Sequence, residues 1–233
     1  MSSLGPLRDA VCRANQEIAR RGLARFTFGN ASGIDRGRGL VVIKPSGVPY
    51  ETLTPETLVV VDLDGRAVDG KARPSSDLPT HLELYRAFGS IGGVVHTHSH
   101  YATVWAQAGR EIPCFGTTHA DYFPGPVPLT AQLSDAEIAT DYEVNTGRAI
   151  VRRFADLDPA HTPAVLVAGH ASFCWGADVL AAVDTADLLE EIARMAYHTA
   201  TLAPAAGPIP AALIAKHHRR KHGPDAYYGQ PGG

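Results

Sequence analysis

Hydrophobic and polar positions alternate along this chain with a period that changes several times. Leu4, Leu7, Val11, Ala14 and Ile18 recur at steps of three and four, which lines one face of a helix, and Gly22 supplies a stop, so residues 4–21 are predicted helical. Short β-prone runs at 25–28, 40–43 and 58–62 are separated by the Gly, Asp and Pro residues that close turns, and are predicted strands. Ser75, Ser76 and Asp77 precede Pro79 and the run 81–88, which places a helix start there with Asp77 at its threshold. Residues 93–98 form a compact apolar strand with a polar end, followed by a helical segment at 101–108. The runs 165–168 and 173–175 bracket Gly169-His170 as a hairpin-like pair with a histidine at the bend, and 179–201 reads as a long helix.

Strands interrupted by helices, without regular βαβ alternation, favour an α/β fold with a mostly antiparallel central sheet flanked by helices in α+β-like layers. The 233 residues carry neither a repeat nor a linker, so one domain spanning 1–233 is expected. Composition agrees: 45% hydrophobic and 19% charged residues are those of an ordinary folded globule. A net charge of -3, with Arg219-Arg220-Lys221 as the longest basic run, predicts a solvated helix end there and no nucleic-acid partner. Cys12, Cys114 and Cys174 are an odd, widely spaced set, read as packing residues in a reducing compartment. No apolar run reaches bilayer length and no basic segment leads into an apolar stretch at the N-terminus, so a cytoplasmic protein without a membrane partner is expected.

The candidate chemistry begins at His96-Thr97-His98. On a strand, positions i and i+2 share a face, so the two imidazoles point at one place. A tetrahedral catalytic metal site needs about three protein ligands and an open position. His170, at a strand turn, is the natural third, with His100 and His119 as rivals. Imidazole suits first-row divalent ions; Zn2+ is the commonest, and Mn2+ or Co2+ use the same donors. Asp77 is a further ligand, an acid/base group or a helix N-cap. Asn30, Lys44, Ser46, Gly47, Ser75 and Ser76 supply the amide, cation and hydroxyls of an inventory that can hold a phosphate, although Ser- and Gly-rich loops taken alone are more often plain turns. Neither a dinucleotide fingerprint nor a P-loop occurs, so a nucleotide cofactor is not indicated.

Several stretches together resemble the class II aldolase/epimerase family, and within it the L-ribulose-5-phosphate 4-epimerase branch. They are Gly29-Asn30-Ala31-Ser32, Lys44-Pro45-Ser46-Gly47, Pro74-Ser75-Ser76-Asp77, His96-Thr97-His98-Ser99, 116–122 and the tail Tyr227-Tyr228-Gly229-Gln230. The His-Thr-His and Gly-Asn pieces are shared with sibling aldolases; the segment 118–123 and the tyrosine tail point to the epimerases. The resemblance implies the class II aldolase fold and metal binding by Asp77, His96, His98 and His170. It implies phosphate held by Asn30, Lys44, Ser46, Gly47, Ser75 and Ser76, and Asp121 and Tyr228 as an acid/base pair. It also implies Thr117, Glu143 and His217 in or near the site, and a homotetramer with active sites at subunit interfaces, the tail reaching the neighbouring subunit. Where the family follows its third histidine with Gly-Pro-Phe, this chain has Ala171-Ser172-Phe173.

The implied reaction inverts C4 of a 2-ketopentose phosphate, a step of L-arabinose catabolism. Deprotonation at C4 is unattractive because that hydrogen is β to the carbonyl. Retro-aldol cleavage of C3–C4 instead leaves an enediolate that a divalent ion can stabilise, and the aldehyde fragment rotates and recombines on its other face. The proton lost and regained at the C4 hydroxyl calls for two acid/base groups on opposite sides. The rival readings are an L-fuculose-1-phosphate aldolase-like enzyme that releases its fragments, and a non-catalytic scaffold like the adducin head. Retention of His96, His98 and His170 argues against the second.

Overall fold

The computed structural model describes residues 4–223 and 226–227. Its centre is a seven-stranded sheet in the order β4-β3-β2-β1-β5-β7-β6. The strands are β1 (Asn30–Asp35), β2 (Leu40–Ile43), β3 (Val59–Asp62), β4 (Ala67–Asp69), β5 (Gly93–Thr97), β6 (Ala164–Leu166) and β7 (Ser172–Gly176). Every neighbouring pair runs antiparallel, as the segment pattern predicts.

The alternation along the strands sorts the core into two layers. Val42, Val60, Val95 and Cys174 face one side, against α1 (Gly5–Arg20), α3 (His100–Gln107) and α7 (Val179–Leu202). Val41, Ile43, Val59, Val61, Val94, Phe173 and Trp175 face the other, against α2 (Leu78–Ala87) and α6 (Tyr142–Arg153). Both faces are covered, so β2 and β3 read as near-continuous apolar runs rather than as half-polar ones. The N-terminus of α7 lies directly on the sheet. A Cβ on Gly93 would sit 2.3 Å from Val179 Cα, and one on Gly176 would sit 2.7 Å from Ala182 N. All three cysteines are buried and unpaired.

One expectation needs correction. Residues 25–28 are not a strand: Phe28 N donates to Arg25 O at 3.1 Å in a turn, and Phe26 has a φ of 54°. Their aromatic rings are exposed, so β propensity there has no sheet surface to pack on. The central strand is instead β1, Asn-Ala-Ser-Gly-Ile-Asp, whose small residues let α1 approach. A Cβ on Gly33 would meet Leu7 Cδ1 at 2.9 Å and Val11 Cγ2 at 3.0 Å. Among the described residues, five further strands and α-helices lie outside the predicted segments: β4, α4 (Thr117–Ala120), α5 (Asp135–Ala139), α6 and α8 (Ala211–His222). Arg219-Arg220-Lys221 falls in the last turn of α8, the helix end that the basic run suggested.

Candidate metal and anion site

The antiparallel register brings the site together. Asn30 on β1 lies opposite His96 on β5, and His96 lies opposite Phe173 on β7. The imidazole of His96 stacks on the Phe173 ring at 4.2 Å. Its Nδ1 donates to the Ser172 carbonyl at 2.9 Å, and because a carbonyl only accepts, this leaves Nε2 as the lone-pair nitrogen. His98 follows the end of β5, and its Nε2 lies 3.2 Å from His96 Nε2 and 3.2 Å from His170 Nε2. His170 is delivered by the β6–β7 turn, where Gly169 takes a φ of 70° and its N–H donates to Ala106 O at 2.9 Å.

These three nitrogens form a group that could hold a metal ion. Three imidazole nitrogens that converge this closely are a donor set for a cation that takes their lone pairs. A tetrahedral ion about 2.0–2.1 Å from each ligand sets the donor atoms roughly 3.3 Å apart, close to the separations seen. The rivals His100 and His119 are elsewhere: His100 opens α3 with its ring against Tyr101, and His119 Nε2 donates to Gly125 O at 2.9 Å. Asp77 occupies the N-cap position of α2, yet its side chain makes no cap hydrogen bond. It accepts from Asn30 Nδ2 at 2.7 Å instead.

Burial sets the electrostatics. Asp77 is pulled upward by desolvation, but the charges of His96 and His81 and the Asn30 hydrogen bond outweigh it and leave its carboxyl below the ordinary value. Burial, with His96 and His98 alongside, pushes His170 down to about 4. The Lys44 side chain is buried, its Nζ 3.4 Å from the Pro45 carbonyl and 4.9 Å from the Tyr50 ring centroid. Among the described residues no carboxylate pairs with it, and desolvation lowers its pKa. A buried ammonium without a carboxylate partner is a candidate site for an anion.

Asn30, Lys44, Ser46, Gly47, Ser75, Ser76, Asp77, His96, His98 and His170 all line one open cleft of about 310 Å³, together with Thr27 and Phe28. Thr117, Asp121, Glu143 and His217 do not line it. Asp121 is bound by α8 instead: Arg220 Nε and Nη2 donate to it at 3.0 and 2.8 Å, and His217 Nδ1 at 3.0 Å. Glu143 lies in the first turn of α6, where its carbonyl accepts from Thr80 Oγ1 at 2.6 Å. Tyr228 lies outside the described residues.

Besides Thr27 and Phe28, two further residues at the site were not foreseen. Tyr142 opens α6 with its hydroxyl 3.1 Å from His170 Nδ1, and nothing in the local pattern marks it. His81 is buried beneath Asp77, with Nδ1 2.7 Å from Ser32 Oγ and Nε2 unpartnered, and burial pushes it down to about 3. Its signal was available, since a residue four positions after Asp77 on α2 shares that helix face.

The fold is that of a known group: the family model of the Class II Aldolase and Adducin N-terminal domain matches residues 9–197, and the chain belongs to that family. Among its relatives, L-ribulose-5-phosphate 4-epimerase UlaF of Salmonella paratyphi B is 54% identical over 224 residues, spanning 96% of this chain and 98% of its own. The protein of the same name in Salmonella typhi matches to the same extent. Of solved structures, an L-fuculose 1-phosphate aldolase superposes with a TM-score of 0.80 at 23% identity, covering 94% of this chain and 97% of its own. YgbL of Escherichia coli, a putative aldolase/epimerase/decarboxylase, gives 0.72 at 26% identity, covering 92% and 98%. No helix among the described residues is long and apolar enough to cross a membrane.

Proposed function

We propose that the protein interconverts L-ribulose 5-phosphate and D-xylulose 5-phosphate by metal-dependent cleavage and re-formation of the C3–C4 bond. The observation that carries this reading is the union, in one cleft, of three convergent imidazole nitrogens with a buried lysine and a set of hydroxyl and amide donors. A sugar phosphate presents both partners, an oxygen-rich carbon skeleton for the ion and a dianion for the donors. The 54% identity to named epimerases over nearly whole chains favours epimerisation over fragment release.

In this reading His96, His98 and His170 hold the ion, with Asp77 beside them. When bound, a divalent ion, Zn2+ in the first instance, supplies Lewis-acid stabilisation of the oxyanion charge that develops on cleavage. Lys44 and the hydroxyls and backbone of Ser46, Gly47, Ser75 and Ser76 hold the phosphate, so the aldehyde fragment stays while its carbonyl turns over. Asn30 Oδ1, buried and without a hydrogen-bond partner, is an acceptor for a substrate hydroxyl. Asp121 and Tyr228 are assigned as the two proton carriers at O4. Because Asp121, Thr117 and His217 lie off their own chain's cleft, they would serve the cleft of a neighbouring subunit, which is the reason to propose a homotetramer with shared sites. Glu143 is assigned to the same outer part of the site.

The test is a comparison of kcat/KM for L-ribulose 5-phosphate and L-fuculose 1-phosphate with the metal-replete protein. A clear preference for the pentose, with xylulose phosphate as product, supports the reading. A preference for the 1-phosphate, with net aldehyde release, would move the assignment to an aldolase.

A further inference from the structure

One rim of the cleft is held in a way that core packing does not account for. Phe28 lines the cleft with its ring centroid 6.4 Å from that of His98, and it is 58% exposed. It belongs to neither core layer. Nevertheless its position is fixed from three sides. The Tyr50 hydroxyl, on a buried ring, lies 2.7 Å from the Phe28 carbonyl and 2.9 Å from that of Gly29, and donates to them. Gly29 takes a φ of 81°, and a Cβ there would lie 2.7 Å from His96 O, so the loop is pressed against β5. Phe26, in the left-handed region with a φ of 54°, sets its ring edge-on to Phe28 at 5.8 Å. A bulky side chain rarely adopts that backbone conformation, and strain of this kind gathers at functional sites.

We propose that Phe28 is a substrate-positioning wall that keeps the cleaved aldehyde fragment in the cleft and shields the carbanionic fragment from solvent protons, with Phe26 as its brace. The proposal rests on the function proposed above. On cleavage, the C3–C4 electron pair passes to C3 and the C4 hydroxyl gives up its proton. Two fates then compete. Return of the pair to C4 re-forms the bond on either face of the aldehyde and completes epimerisation. Protonation at C3 instead yields dihydroxyacetone and free glycolaldehyde phosphate, with no other reactant needed. The phosphate donors tether one end of the aldehyde; an apolar ring beside the histidines limits the motion of the other end and the entry of water.

The experiment follows D-xylulose 5-phosphate and released glycolaldehyde phosphate separately from L-ribulose 5-phosphate, for wild type, Phe28→Ala, Phe28→Trp and Phe26→Gly. Metal content and solution mass are measured on each. The expected result is a ratio of released to epimerised product raised about tenfold in Phe28→Ala, the order expected when one apolar contact to a small substrate is lost. Phe28→Trp keeps the wild-type ratio, and Phe26→Gly, which suits the positive φ but removes the brace, falls between. Metal content and mass stay unchanged. Wild-type turnover with the same ratio in Phe28→Ala overturns this proposal alone, as does a changed solution mass with no change in ratio, which would make the aromatic pair a contact between chains. Wild-type protein that forms no xylulose phosphate overturns the proposed function and this inference with it.

Discussion

His96 shows how much the site depends on hydrogen bonds one step behind the donors. Its Nδ1–H is taken by the Ser172 carbonyl, so the tautomer with a free Nε2 is selected before any ion arrives. His96→Asn is therefore expected to abolish stoichiometric metal binding, read by elemental analysis, and to cut activity by at least about 100-fold, while the far-ultraviolet circular dichroism stays that of the folded chain. Tyr142 stands to His170 as Ser172 stands to His96, its hydroxyl 3.1 Å from Nδ1; Tyr142→Phe should weaken metal affinity by about 10- to 100-fold in a chelator competition. Lys44 tests the other half of the cleft. Losing a charge-assisted hydrogen bond worth about 1.5–3 kcal/mol should raise KM for a phosphorylated substrate roughly 10- to 150-fold in Lys44→Ala, with metal content unchanged. An unaltered KM would remove Lys44 from the phosphate site.

At the scale of elements, the site rests on how closely α7 meets the sheet. In Gly93→Ala the new methyl would lie 2.3 Å from a backbone atom of Val179, which cannot swing aside, so a loss of about 3 kcal/mol or more is expected, at or beyond the upper end for overpacking. A fall in thermal midpoint checks it. Helix α8 is held differently. It has no fully buried residue, and Asp121 anchors it through Arg220 and His217. Burial pulls the Asp121 carboxyl upward, but those hydrogen bonds and charges outweigh it and leave its folded-state pKa below the ordinary value. That stabilisation is present above the unfolded value of about 4 and is lost as pH falls through the lower folded value. Protection factors for amide exchange in 211–222, relative to the intrinsic rate at each pH, should therefore fall in acid, and at neutral pH in Asp121→Asn; equal protection in wild type and variant would contradict it. Elements with a strong apolar period, such as α1, β2 and α7, were legible in the sequence. Those built on small or polar residues were not: β1 hides behind Asn, Ser and Gly, and α6 packs through Asn145, Thr146 and Gly147. Likewise the His96–His98 pair could be read from spacing. Whether Asp77 capped its helix or faced the cleft depended on Asn30, 47 residues away.

At the scale of the whole molecule, one chain supplies a cleft with metal donors and anion donors, while Asp121, Thr117 and His217 lie outside it. If the sites are shared between subunits, sedimentation should give a particle four times the 24.7 kDa chain, and mixing inactive His96→Asn with inactive Asp121→Asn protein should restore part of the activity in hybrid assemblies. A monomer with full activity would contradict the shared site. The claim on which the rest depends is that the convergent histidines and the anion donors serve one reaction on one substrate. Its most direct test is to incubate the metal-replete protein and a chelated sample with L-ribulose 5-phosphate and to follow D-xylulose 5-phosphate in each. The account predicts xylulose phosphate with metal and none in the chelated sample, with activity returning when Zn2+, Mn2+ or Co2+ is added back. Equal conversion in both samples, or none despite one bound ion per chain, would contradict it.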